Sequence, residues 1–167
     1  PRYKVCGCCL NRVALALLPR DSRALSPLLS KAPELTELHL SSGERDARLR
    51  LPGGKAISRA AFDEALAQTA VEAGATFLDG TEARILEGVE AREARAVALK
   101  REGDEFHLEA RVVVVATGLG SRFADAQPKT HLRKGSRIGA GTIVEDKGGQ
   151  IPEGAIEMNC GAGGYVG

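Results

Sequence analysis

The chain of 167 residues has the length of a single domain, by the usual prior of roughly 100–200 residues. Hydrophobic residues make 43% and charged residues 27%, an ordinary globular composition, and a formal charge of +1 excludes the basic excess of a generic nucleic-acid binder. No apolar run approaches the roughly 18 residues of a membrane span, and four cysteines are too few for a disulfide-stapled secreted scaffold.

Leu10, Val13, Ala14 and Leu17 recur at helical spacing. They predict a short helix over 9–18 with one apolar face, stopped by Pro19. Three serines and two prolines make 20–34 a loop or a broken helix. Thr36, Leu38 and Leu40 alternate with Glu37, His39 and Ser41, and Ala47, Leu49 and Leu51 alternate with Arg48 and Arg50. The polar stretch Ser42–Asp46 between them predicts a half-exposed hairpin. The clearest helix runs from Ser58, a natural N-cap, to Ala73, with Gly74 as its stop. Its expected buried stripe is Phe62, Leu66, Thr69, Ala70 and Ala73. Thr76–Leu78 reads as a short strand. Thr81–Leu86, Ala94–Arg101 and Glu105–Ala110 read as a meander whose last turn is Glu102-Gly103-Asp104.

Val112–Val115 is a continuous β-branched run, the pattern of a parallel strand buried on both faces. Residues 123–136 read as irregular and locally basic, and 137–158 as further strands. A parallel core strand among antiparallel hairpins argues for an α/β fold with an inserted second sheet. Pro1 stands where an initiating Met is usual, and Gly161–Gly167 is no obvious domain end. An excerpt of a longer polypeptide is therefore expected.

Three features carry candidate chemistry. Cys6-Gly7-Cys8-Cys9 precedes the first predicted helix, where the partial positive charge of a helix N-terminus favours a thiolate or an anionic ligand. Buried packing thiols, a Cys6/Cys9 dithiol, a metal site and a cofactor-facing turn all remain open; zinc would also need Cys160 and one of His39, His107 and His131. Gly118-Leu119-Gly120 follows the valine run and is one glycine short of a dinucleotide fingerprint. Arg59 directly follows the Ser58 cap, where the helix dipole disfavours a cation; by itself this reads as a solvated surface Arg, with a functional role as the alternative.

Pro1-Arg2-Tyr3-Lys4-Val5-Cys6-Gly7, Ile57-Ser58-Arg59 with Phe62, Asp63 and Leu66, and Ala110–Gly118 with Ser121 resemble segments of FAD-dependent oxidoreductases of the geranylgeranyl reductase group, which share the p-hydroxybenzoate hydroxylase fold. Ile138–Gly141 and Gly163–Gly167 resemble later strands of that group's substrate domain. Cys8 and Cys9 stand where relatives often have glycine or polar residues.

The resemblance implies a partial FAD/NAD(P)-binding, Rossmann-like α/β domain with a parallel core strand and a β-meander, and part of an inserted antiparallel substrate-domain sheet. Residues 1–34 and 55–122 would belong to the FAD-binding domain, and 35–54 and 123–167 to the substrate domain. The family's GxGxxG unit is expected before Pro1 and its GDA segment beyond Gly167. Val5, Cys6 and Gly7 would lie against FAD, with Arg2 and Lys4 near it or its pyrophosphate. Arg59 would contact the cofactor, Ala83 would meet the adenine side through its backbone, and Ala116, Thr117 and Gly118 would line the binding face. Tyr165 would lie in the substrate sheet, and Cys6 would be the one side chain with a catalytic role, as a weak proton donor.

The implied activity is reduction, monooxygenation or electron transfer on a small or isoprenoid-like lipidic substrate. NAD(P)H or an electron-donor protein would supply electrons, and the setting would be cytoplasmic or peripheral to a membrane. The alternatives are a thiol–disulfide protein using Cys6 and Cys9, and a non-catalytic zinc module.

Overall fold

The structure, a computed structural model, describes residues 6, 8–86, 94–117, 135, 139–145, 147–149 and 151–167. The chain divides into two compact units, 1–76 with 138–167, and 77–137.

The first unit begins with β1 (Cys9–Asn11) and a short helix, α1 (Arg12–Ala16). The predicted helix over 9–18 is cut down because Cys9–Asn11 is drawn into an antiparallel pair with β4 (Gly54–Ala56). Asn11 then becomes the N-cap, its Oδ1 accepting from the Ala14 N–H at 2.8 Å. The expected apolar face is not buried: Val13 is 71% and Leu17 81% exposed.

Residues 20–34 hold a regular helix, α2 (Leu25–Lys31). Pro27 lies in its first turn, where no intrahelical N–H is needed, so the proline does not break it. Ser22 and Thr69 bind α2 to α3 (Arg59–Glu72) through a directed chain. The Leu25 N–H donates to Ser22 Oγ at 3.0 Å, Ser22 Oγ meets Thr69 Oγ1 at 2.5 Å, and Thr69 donates to the Ala65 carbonyl at 2.7 Å. Leu25, fully buried, packs in the core with Leu35, Ile57 and Ala65. The buried face of α3 therefore centres on Ala65, flanked by Phe62 and Thr69; Leu66, Ala70 and Ala73 of the expected stripe are exposed.

The predicted hairpin is present as β2 (Glu37–Ser42) and β3 (Arg45–Arg50). β2 also pairs in parallel with β8 (Ala155–Gly161), which turns back into β9 (Gly164–Val166), giving the order β3-β2-β8-β9. Register puts Leu38, Leu40, Ala47, Leu49, Ile156 and Met158 on one face and Glu37, His39, Arg48 and Glu157 on the other. Gly154 starts the parallel pair: its carbonyl accepts the N–H groups of Thr36 at 2.8 Å and Glu37 at 3.3 Å.

The second unit is a meander, β5 (Glu82–Ile85), β6 (Arg95–Arg101) and β7 (Asp104–Ala110). Glu102 and Gly103 both have positive φ, 54° and 100°, the pattern of a tight hairpin turn. Ala83, Ile85, Val97, Leu99, Phe106 and Leu108 share one face by register. Val97 and Leu99 are buried on that face, and Ala98 is buried on the other.

Two expected strands are absent, and of the further strands expected over 137–158, residues 139–145 form none, strand structure beginning only with β8 at Ala155. Thr76–Leu78 has no strand pairing, and Phe77 is 63% exposed. Val112–Val115 is likewise not a strand, with Val112 79% and Val114 81% exposed. A strand buried on both faces needs a ladder on each side, and among the described residues no strand pairs with this run. The parallel pairing that is seen lies elsewhere, between β2 and β8, so the fold is a mixed α/β arrangement without the expected core strand at 112–115.

Candidate functional site

The candidate site is the corner where the Cys6–Cys8 turn meets the start of α3. β4 builds it. On one edge β4 pairs with β1; on the other, Leu35 N–H donates to the Gly54 carbonyl at 2.9 Å and Ala56 N–H to the Pro33 carbonyl at 3.0 Å. The strands approach so closely at Gly54 that a Cβ there would lie 2.6 Å from the Leu10 carbonyl oxygen. One step further, the buried Ile57 donates its N–H to the Cys8 carbonyl at 2.7 Å. That bond places the turn beside Ser58 and Arg59.

Within the turn, the Cys8 N–H donates to Cys6 Sγ at 3.3 Å, and the Cys8 thiol donates to the Cys6 carbonyl at 3.7 Å. The geometry requires Cys8 at φ 55°, in the left-handed region. Cys6 is exposed.

Arg59 Nε donates to Asp63 Oδ1 at 2.5 Å, one helical turn on. Asp63 first, and then the Cys6 thiol, hold the guanidinium even more firmly in its charged form. The Asp63 pair gives Arg59 a local partner that offsets its poor position against the helix dipole. Ser58 makes no side-chain capping bond, and the first turn of α3 carries no acidic residue. The corner thus combines a cation, a 14-residue helix's N-terminal partial charge and an exposed sulfur. This donor set fits an anionic group such as a phosphate or the electron-rich edge of a reduced ring.

The dithiol reading loses its basis. The cysteines do not sit at a helix start, because β1 intervenes and Asn11 caps α1. Burial first, then neighbouring Cys8 and Cys6, push the Cys9 thiol up, away from the thiolate that exchange requires. None of the four cysteines forms a disulfide. The zinc module is not assembled either: among the described residues no group of three or more His, Cys, Asp or Glu could hold a metal. Cys160 stands on β8, in another sheet from Cys9.

The other expected site residues are spread over both units. Ala83 is half-buried on β5, opposite Leu99, in an antiparallel ladder and not after a parallel strand. Ala116 and Thr117 are exposed beyond the valine run. These three lie in the second unit, whereas Cys6, Arg59 and Tyr165 lie in the first. Tyr165 is on β9, opposite Cys160 and 65% exposed. Arg2, Lys4, Val5, Gly7 and Gly118 fall outside the described residues.

Sequence reasoning missed a second polar group. His39 on β2 is bracketed by Glu37 and Glu157, and Ser41 bonds Asn159 beside it. The alternation of 36–41 put Glu37, His39 and Ser41 on one side, but nothing local announces Glu157, 118 residues away. At the hairpin end of the same strands, Leu40, Ser41, Arg45, Asp46, Ala47 and Cys160 line an open cavity of about 260 Å³. No helix among the described residues is long and apolar enough to cross a membrane.

A family model described as FAD dependent oxidoreductase matches residues 10–166, nearly the whole chain. No curated protein matches it.

Proposed function

Because the chain belongs to the FAD-dependent oxidoreductase family, we propose that it acts, as in the geranylgeranyl reductase group, on a small or lipidic substrate bearing an alkene or aromatic group. FAD would supply the hydride and electron chemistry, and the protein orientation and charge. The observation that carries the reading is the meeting of the Cys6–Cys8 turn with Arg59 at the uncapped start of α3. Cys6 and Arg59, one from each of two segments that resemble the family's cofactor-facing motifs, each stand two residues from an end of one backbone bond, Ile57 to Cys8.

In this reading Arg59 and the first turn of α3 hold an anionic part of the cofactor, and Cys6 lies beside it as a weak proton donor. Residues 1–34 and 55–122 serve the cofactor, and 35–54 and 123–167 serve the substrate. The apolar face of the four-stranded sheet, with Leu38, Leu40, Ile156 and Met158, supports a lipidic substrate over a polar one. Reduction, hydroxylation and electron transfer all suit this arrangement, with NAD(P)H or a donor protein as the source of electrons.

The test is FAD titration followed by flavin fluorescence, comparing wild type with Arg59→Ala. A charge-assisted contact contributes about 1.5–3 kcal/mol, so the variant should bind FAD about ten- to hundred-fold more weakly. Helix formation should persist, alanine being the better helix former. Equal dissociation constants for the two proteins would return Arg59 to a purely local partnership with Asp63.

A further inference from the structure

His39 occupies the centre of the polar face of the four-stranded sheet, its side chain only 12% exposed. Its Nδ1 lies 2.6 Å from Glu157 Oε1 on β8, and its Nε2 lies 2.9 Å from Glu37 Oε2 on its own strand. A neutral imidazole has one N–H; only the imidazolium has two donors. Both contacts are therefore satisfied together only when His39 carries a proton on each nitrogen. In the neutral form one ring nitrogen turns a lone pair toward a carboxylate, and two carboxylates flank a ring that no longer offsets their charge.

We propose that His39 is a proton-operated clamp on the parallel joint between β2 and β8, closed by the imidazolium and released on its deprotonation. The joint unites segments far apart in the chain, so the clamp acts where the ladder closes its longest loop. β2 and β8 also supply Leu40 and Cys160 to the cavity at the hairpin end. The proton state of His39 thus sets how firmly the floor of that cavity is held. None of this depends on FAD.

The charged groups facing His39 come from three strands. Glu37 precedes it on β2; Arg48 lies directly across on β3, with Arg50 opposite Glu37 and Asp46 opposite Ser41; Glu157 lies directly across on β8. The hydrogen bond to Glu37 and then that to Glu157 raise the His39 pKa, against desolvation and the Arg48 charge. The bond to His39 lowers that of Glu37, assisted by His39, Arg48 and Arg50 charges. The raised histidine contributes stability fully present below its ordinary value of about 6.5 and lost as pH rises through the higher folded value. The depressed Glu37 contributes stability present above its ordinary value of about 4.5 and lost as pH falls through the lower folded value. The clamp is closed between those limits.

The experiment is an NMR titration of the His39 ring in the labelled whole chain, together with urea unfolding from about pH 6 to about pH 9, a span that covers imidazole deprotonation. His39 should titrate above an ordinary histidine, and Glu157→Gln should move its midpoint to lower pH. The wild-type urea midpoint should fall across the span, and that fall should be lost in His39→Gln. If His39→Gln does not fold, Glu157→Gln, which keeps an amide at the same place, should show a shallower fall instead. A His39 that titrates at or below the ordinary value, or a midpoint unmoved by Glu157→Gln, overturns the clamp. So does a wild-type pH slope retained in full without the imidazole.

Discussion

In the unit 77–137, β5, β6 and β7 each pair with a neighbour in sequence, whereas in the unit 1–76 with 138–167 the central ladder joins residues such as His39 and Glu157, 118 positions apart. The first arrangement spans only short stretches of chain between partners, and its specificity is local. The second must close a long loop before its contacts contribute. It depends on buried anchors, Leu25, Leu35, Ile57 and Ala65, and on backbone approaches that tolerate no side chain, as at Gly54.

The contrast can be broken most forcefully at Leu25, the one fully buried large side chain among the described residues. Leu25→Ala should destabilise its unit by about 2–5 kcal/mol, read as a lower urea midpoint by circular dichroism. Amide protection in Arg95–Ala110 should outlast that transition if the meander is held by local pairing. Loss of both signals at one denaturant concentration would show that the two units unfold as one.

A smaller effect is expected at Gly54. Its Cβ would lie 2.6 Å from the Leu10 carbonyl, so Gly54→Ala must part β1 from β4. The expected cost is about 1–3 kcal/mol, and, if the corner is the cofactor site proposed above, FAD should be held more weakly as the Cys6–Cys8 turn loses its seat beside Arg59. Unaltered stability would mean that the β1–β4 pair contributes little to the corner.

The smallest change sharpens the comparison in the stabilising direction. Cys8 holds φ 55°, where an L residue is strained and glycine is not. Cys8→Gly should raise stability by up to about 1 kcal/mol, partly offset by the freer unfolded chain. A lower unfolding midpoint would show that the Cys8 thiol bond to the Cys6 carbonyl outweighs the strain.

The legible parts of the sequence were those whose cause is local. Alternation around a polar turn marked β2 and β3; the Glu102-Gly103 turn marked β6 and β7; Ser58 and Gly74 bounded α3 to within a residue. Non-local pairing overruled the remaining readings. Cys9–Asn11 left the first helix because β4 offered a ladder. Pro27 counted against a helix although its position in the first turn made it harmless. The valines at 112–115 have the composition of a core strand, but composition names a need for neighbours and not the neighbours themselves. The same holds for the site. Cys6 stands out by its place before the first predicted helix and Arg59 by its departure from the helix-dipole preference, and the β1–β4 ribbon brings them to one corner. His39 was visible as a strand residue, while its partner Glu157 had no local mark.

Gly154 sits at φ 83°, where a Cβ would lie 2.6 Å from the Glu34 carbonyl. Because its carbonyl receives two successive amides at the entry to β2, it indexes the two parallel strands against each other before any side chain meets. A slip of one position would carry Ile156 and Met158 to the histidine's side and Glu157 to the leucines' side, inverting the sheet's two surfaces at a stroke. The separation of an oily surface from a charged one thus depends on an atom that residue 154 does not have.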